Sequence, residues 1–127
     1  MFSNYMTRTF VQTHEFSRRW KDLGFTDDDL RMLELMLMEN PQAGPIMQGT
    51  GGLRKMRFAF HGRGKSGSAR VCYVDYVVYK TVYLITAFSK EEKANLSKAE
   101  RNNIKKAIQA IEKELKEHSY ERQDRYE

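Results

Sequence analysis

Six fixed cations lie close together in the middle of this chain: Arg54, Lys55, Arg57, Arg63, Lys65 and Arg70, with His61 among them. No Asp or Glu occurs from Asn40 to Val74, and the rest of the sequence carries sixteen Lys/Arg against seventeen Asp/Glu. The net charge of +5 is therefore one basic patch on a near-neutral background. A patch of this kind suits a polyanion, with nucleic acid the leading choice, and its plain alternative is a solvated basic loop.

Within the patch, "AFHGRGKS" (59–66) carries the letters of a phosphate-binding loop, and Gly62, Gly64 and Gly67 also fit G-x-G-x-x-G. Such loops need a strand leading in and a helix leading out, whose N-terminal N–H groups face the phosphates. The lead-in "RKMRFAF" reads as a strand, but "GSARVCYVDYVVY" after Ser66 alternates with period two and is rich in β-formers. The lead-out is a strand, so the glycines predict the tip of a cationic β-hairpin.

The elements around the patch follow from periodicity. A short strand is expected over 7–12, then a helix over 14–23 capped by Thr13, with Phe16, Trp20 and Leu23 on one stripe and Gly24 ending it. Thr26 caps a second helix running to Pro41. Asp27, Asp28 and Asp29 suit its first turn without any metal, and Leu30, Leu33 and Leu37 line one face. Met32 and Met36 read as core filler. The period becomes two over Leu53–Phe60, which puts Met56, Phe58 and Phe60 on one face and Lys55, Arg57 and Ala59 on the other. "ARVCYVDYVV" and "TVYLITAFS" are two more strands, joined by a turn without Gly or Asn whose apolar residues suggest a covering partner. Ser97–Glu100 is a capping box, and Ile104, Ala107, Ile108, Ile111 and Leu115 recur at helical spacing. The polar end, 116–127, reads as a frayed tail.

The expected architecture is one α+β domain over 1–127: an N-terminal strand and helical hairpin, an antiparallel sheet of about four strands, helices on one face and a C-terminal helix. The single cysteine, Cys72, excludes an intrachain disulfide and reads as a buried thiol. No cofactor or metal is indicated. "MFSNYMTRTF" does not have the pattern of a signal peptide and no window is apolar enough for a membrane span, so the expected location is the cytoplasm, with no membrane partner.

"QGTGGLRKMRFAF", "GRGKSGSARVCY" and "YLITAFSKEEKANLS" followed by the capping-box helix resemble the RelE/ParE toxin superfamily, in its HigB-like branch, over roughly residues 5–115. The resemblance implies the toxin of a type II toxin–antitoxin module: a metal-independent endoribonuclease that cuts mRNA in the ribosomal A site by attack of the 2′-OH. It also implies a cognate antitoxin, helix-turn-helix and HigA-like, with operator DNA reached only through the antitoxin complex. By position, Lys55 and Arg57 resemble the family's Lys-x-Lys pair, Arg70 its phosphate-stabilising arginine and Lys90 the lysine at the next strand end, with Glu92 or Lys90 a candidate acid or base. Glu91 stands where RelE has a second catalytic arginine, and the family's C-terminal tyrosine has no convincing counterpart. Arg54, Arg63, Lys65 and Lys93 are expected to contact mRNA or ribosomal RNA phosphates, and Tyr73 to stack on a base. Internal cleavage needs a base, an acid and positive charge on the phosphorane, and the strand-borne cations supply the last. ParE-like relatives poison gyrase, so a non-nuclease inhibitor and an inactive RNA-binding module are the competing readings.

Overall fold

A computed structural model describes residues 8–59 and 68–126, the last seven by backbone alone. The chain runs β1 (Thr9–Gln12), α1 (His14–Asp22), α2 (Asp27–Glu39), β2 (Arg54–Ala59), β3 (Ser68–Tyr76), β4 (Thr81–Ser89) and α3 (Lys98–Tyr126). The fold is α+β, with four strands in the order β1-β4-β3-β2.

Local chemistry sets the helix starts. The Thr13 hydroxyl accepts the Phe16 N–H, and Thr26 and Asp29 form a reciprocal capping box. A second capping box opens α3: the Ser97 N–H donates to Glu100 at 2.8 Å and the Glu100 N–H to the Ser97 hydroxyl at 3.1 Å. Gly24, at φ 85°, turns the chain between α1 and α2 in a conformation other residues resist. The backbone of α3 stays helical to Tyr126, past the point where fraying is expected.

β2, β3 and β4 form the expected antiparallel meander. β1, in contrast, lies parallel to β4, with Thr9 opposite Thr81. A four-residue strand does not carry its pairing direction in its sequence. Here the direction is set by the chain reversals that follow it.

The expectation that the helices share one face is corrected. Phe16, Trp20, Leu33 and Leu37 from α1 and α2 pack with Phe58, Val71, Tyr73, Val82, Leu84 and Ala87 on one side of the sheet. Ile108 of α3 packs with Leu53, Cys72, Val74, Ile85 and Phe88 on the other. β3 and β4 are apolar on successive residues, which is the pattern of strands buried on both faces. A bulge in β4 assists: Cys72 pairs with Thr86 and Tyr73 with Leu84, leaving Ile85 as the extra residue. Leu84 and Ala87 thereby share one face while Ile85 and Phe88 share the other.

The turn between β3 and β4 is a single 3-10 turn over Val77–Tyr79, closed by Lys80 at φ 51°. Its sequence gives no signal because a lysine, not a glycine, takes the left-handed position. Val77 and Val78 are exposed on it.

Candidate nucleic-acid interface

Strand alternation divides the basic residues of β2. Lys55 and Arg57 point to the side covered by α3, and Arg54, Met56 and Phe58 to the side of α1 and α2. In the ladder, Lys55 stands opposite Cys72, and Arg57 opposite Arg70. Arg70 in turn faces Phe88 of β4. Two arginines directly across a ladder repel each other, an arrangement that disfavours the fold. One guanidinium nitrogen of Arg70, Nη1, is buried with no hydrogen-bond partner among the described residues. A buried N–H donor without an acceptor is costly, and a phosphate oxygen would satisfy it.

The connector from β4 to α3 supplies the other wall. Lys93 Nζ lies 5.5 Å from the centroid of the Phe88 ring and 2.5 Å from Glu100. The bond to Lys93 and then the Ser97 N–H hold the Glu100 carboxyl below the usual carboxylate range, so it stays ionised. Lys55 Nζ donates to Asn95 Oδ1 at 3.2 Å. Cys72 lies beneath these lysines. Burial pushes its thiol up to about 12, while the charges of Lys55 and Lys93 pull the other way. Lys55, Arg57, Arg70 and Lys93 thus lie around one partly buried patch of the sheet, with Arg57 at its exposed edge. Partly withdrawn from water, their charges are screened less than those of free surface cations.

Other expected site residues lie elsewhere. Tyr73 is fully buried among the core aromatics, and its hydroxyl accepts the Gly44 N–H at 2.9 Å. It has no ring face for a base, which corrects the stacking expectation: residues 70 and 73 fall on opposite faces of the strand. Arg54 donates to the Gly44 carbonyl at 2.8 Å, bracing the loop ahead of β2. Glu92 is ion-paired to Arg19 and accepts the Ser89 N–H at 3.0 Å. The bond to Arg19, then that from Ser89, draws its carboxyl below the ordinary range. Lys90 and Glu92 line an open depression of 520 Å³ with Arg19, Asp22, Ser68 and Ser89, between α1 and the strand ends. His61, Arg63 and Lys65 lie outside the described residues. The segment after them opens as strand β3 at Ser68, so the helix that a phosphate-binding loop needs is not there.

Asn95 and Glu100 hold the two lysines of the site, and neither is foreseen from sequence. The only advance sign of Glu100 is its capping box, which accounts for one carboxylate oxygen and leaves the other for Lys93. Among the described residues no three His, Cys, Asp or Glu side chains group as metal ligands, and no helix is long and apolar enough to cross a membrane.

A double arginine-to-alanine mutant of the E. coli toxin RelE in the free state superposes with a TM-score of 0.52 at 18% identity, covering 70% of this chain and 90% of that one. The intact E. coli RelBE toxin–antitoxin complex aligns with a TM-score of 0.47 at 18% identity, covering 65% of this chain and 95% of the other. The sequence model of the family described as the RelE toxin of the RelE / RelB toxin–antitoxin system matches residues 7–123. That match spans nearly the whole chain: the protein belongs to the RelE toxin family.

Proposed function

We propose that the protein is a ribosome-dependent mRNA endoribonuclease, the toxin of a toxin–antitoxin pair. The observation that carries this reading is Arg70: a guanidinium with one buried, unpartnered nitrogen, opposed by Arg57 and flanked by Lys55 on the same face. A gyrase inhibitor gains nothing from cations that repel one another across a ladder. An RNA phosphate converts that repulsion into binding.

In the proposed reaction the substrate 2′-OH gives up its proton as its oxygen bonds to the neighbouring phosphorus, the P–O5′ bond breaks as the 5′-oxygen takes up a proton, and the products are a 2′,3′-cyclic phosphate and a 5′-hydroxyl. Arg70 and Arg57 take up the charge that develops on the phosphorane. Lys55, steadied by Asn95, and Lys93, steadied by Glu100, flank the chain. Lys90, exposed beside the strand ends, contacts RNA away from the reacting phosphate, and Glu92 is a strut for Arg19 rather than a base. The antitoxin is proposed to be a small helix-turn-helix protein encoded beside the toxin, which carries the pair to operator DNA, and the site of action is the cytoplasm.

Toeprinting on translating ribosomes tests this. Wild type is expected to produce cuts within the A-site codon, and Arg70→Ala to abolish them. Intact mRNA with wild type, together with accumulating cleaved gyrase–DNA complexes, would sink the nuclease reading. Normal cutting by Arg70→Ala would remove Arg70 from the site.

A further inference from the structure

Arg101 heads the stripe that α3 turns toward the sheet. From residue 101 to 119, the positions shielded from solvent are Arg101, Ile104, Ile108, Ile111 and Leu115, spaced by three and four. The four apolar members join the core beneath α3. The first is a guanidinium whose Nε is buried without a hydrogen-bond partner among the described residues. Arg70 Nη1 is the one other described side-chain nitrogen or oxygen in that condition.

The two orphans belong to the same face. Ile108 packs in one cluster with Leu53, at the head of β2. Arg101 lies seven residues earlier, about 10.5 Å along the helix. A strand covers that length in about three residues. α3 runs opposite to β2, since Leu115 lies with Val78, Tyr79, Lys80 and Thr81 beyond the end of β3, so Arg101 is level with the stretch of β2 that carries Lys55 and Arg57. The flank agrees. Lys105, one turn on from Arg101, has its Cγ 3.6 Å from the point where a Cβ on Gly51 would stand, so this side of α3 looks toward β2. The opposite flank, through Glu100, Asn103 and Ala107, lines a groove against Thr86 and Thr13 at the other edge. The bond from Lys55 to Asn95 ties the approach to α3 to the same part of β2.

We propose that Arg101 is a further RNA-binding residue, taking a phosphate next to the one held by Arg70. Arg70 stands on the α3 side of the sheet and Arg101 on the sheet-facing stripe of α3, and each has one buried guanidinium nitrogen without a partner among the described residues, so the two are proposed to take neighbouring phosphates of one RNA strand. The planar fork of arginine suits a phosphate, and a lysine there would keep the charge without the paired bonds. The proposal rests on the RNA reading of the site.

The test is fluorescence anisotropy of the full chain with a 2′-O-methyl RNA oligonucleotide, which cannot be cut, over a salt series. Arg101→Met is expected to weaken binding about tenfold and to flatten the dependence of log K on log salt by about 0.7, the loss of one phosphate contact on a single strand. Lys106→Ala, on the exposed side of α3, is expected to change neither. Should Arg101→Met fail to fold, Arg101→Gln is judged by the same two criteria. Wild-type affinity and slope in the folded variant overturn the proposal, as does a wild type that does not bind the oligonucleotide at low salt. Cleavage is not the readout. A wild type whose binding slope depends on Arg101 but which never cuts mRNA refutes the nuclease reading and keeps Arg101. A wild type that cuts mRNA while its slope ignores Arg101 does the reverse.

Discussion

Replacing Arg70 by Met should make the protein more stable and far less active. Two penalties are lifted. Opposed like charges across a ladder cost about 0.2–1 kcal/mol. A buried donor without an acceptor costs about 1–3 kcal/mol. Arg70 is half-buried, so part of each penalty is already relieved by solvent, and the methionine stem keeps the apolar contact with Phe88. A net gain of about 1–2 kcal/mol follows. With an unfolding entropy of about 2.1 cal/mol/K per residue over this chain, that raises Tm by roughly 4–7 °C. Removing a preorganised donor from developing charge should lower single-turnover cleavage on programmed ribosomes by about 10²–10³-fold. Thermal melts of Arg57→Met, Arg70→Met and the double variant separate the terms. The gain from Arg70→Met should shrink by about 0.2–1 kcal/mol when Arg57 is already gone. A lower Tm for Arg70→Met would refute the reasoning about orphaned charge. A higher Tm with normal cleavage would refute the placement of the site.

Tyr73→Phe removes only the bond from Gly44, so it should cost about 0.5–1.5 kcal/mol in a denaturant melt and leave cleavage unchanged; a cleavage defect in the folded variant would return Tyr73 to the RNA. Glu92 has a depressed carboxyl pKa, so its pairing with Arg19 stabilises the fold fully above the ordinary carboxylate value of 4.5 and is lost as pH falls through the lower folded value. A Tm–pH profile of Glu92→Gln should be flatter on the acid side and near wild type in activity, whereas a hundredfold loss of cleavage would identify Glu92 as the base. With its thiol pushed up to about 12 and buried, Cys72 should resist iodoacetamide at pH 8 until the protein is denatured; rapid labelling of the native protein would contradict its placement under the lysines.

Much of the fold is written locally. Thr13, Thr26 and the Ser97–Glu100 pair announce their helices because capping is a contact within one turn. The alternation of β2 announces which cations share a face. The same parity sets Tyr73 and Arg54 apart, each an odd number of residues from Arg70 and Lys55 along its strand. What sequence leaves out is tertiary. The side of the sheet that α3 covers depends on the connector from β4, where a turn at Ser89 draws Glu92 back to Arg19. The partners of Lys55 and Lys93 depend on that same connector. The turn at Lys80 has no sequence signal, since its strain is offset by the strands it joins.

The parallel pairing of β1 with β4 also governs when the protein can become itself. Thr9 leaves the ribosome long before its partner Thr81, and the β4 part of the surface under Phe16 and Trp20 (Val82, Leu84 and Ala87) is missing until β4 emerges. Closing so long a chain costs about 4 kcal/mol of loop entropy. The first strand of the sheet is therefore the last of the four to be placed, and α1 cannot dock through Arg19 to the Ala87 carbonyl before β4 has been made. A protein proposed to destroy messages on the ribosome is, on this topology, unable to complete its sheet until β4 has itself left the ribosome.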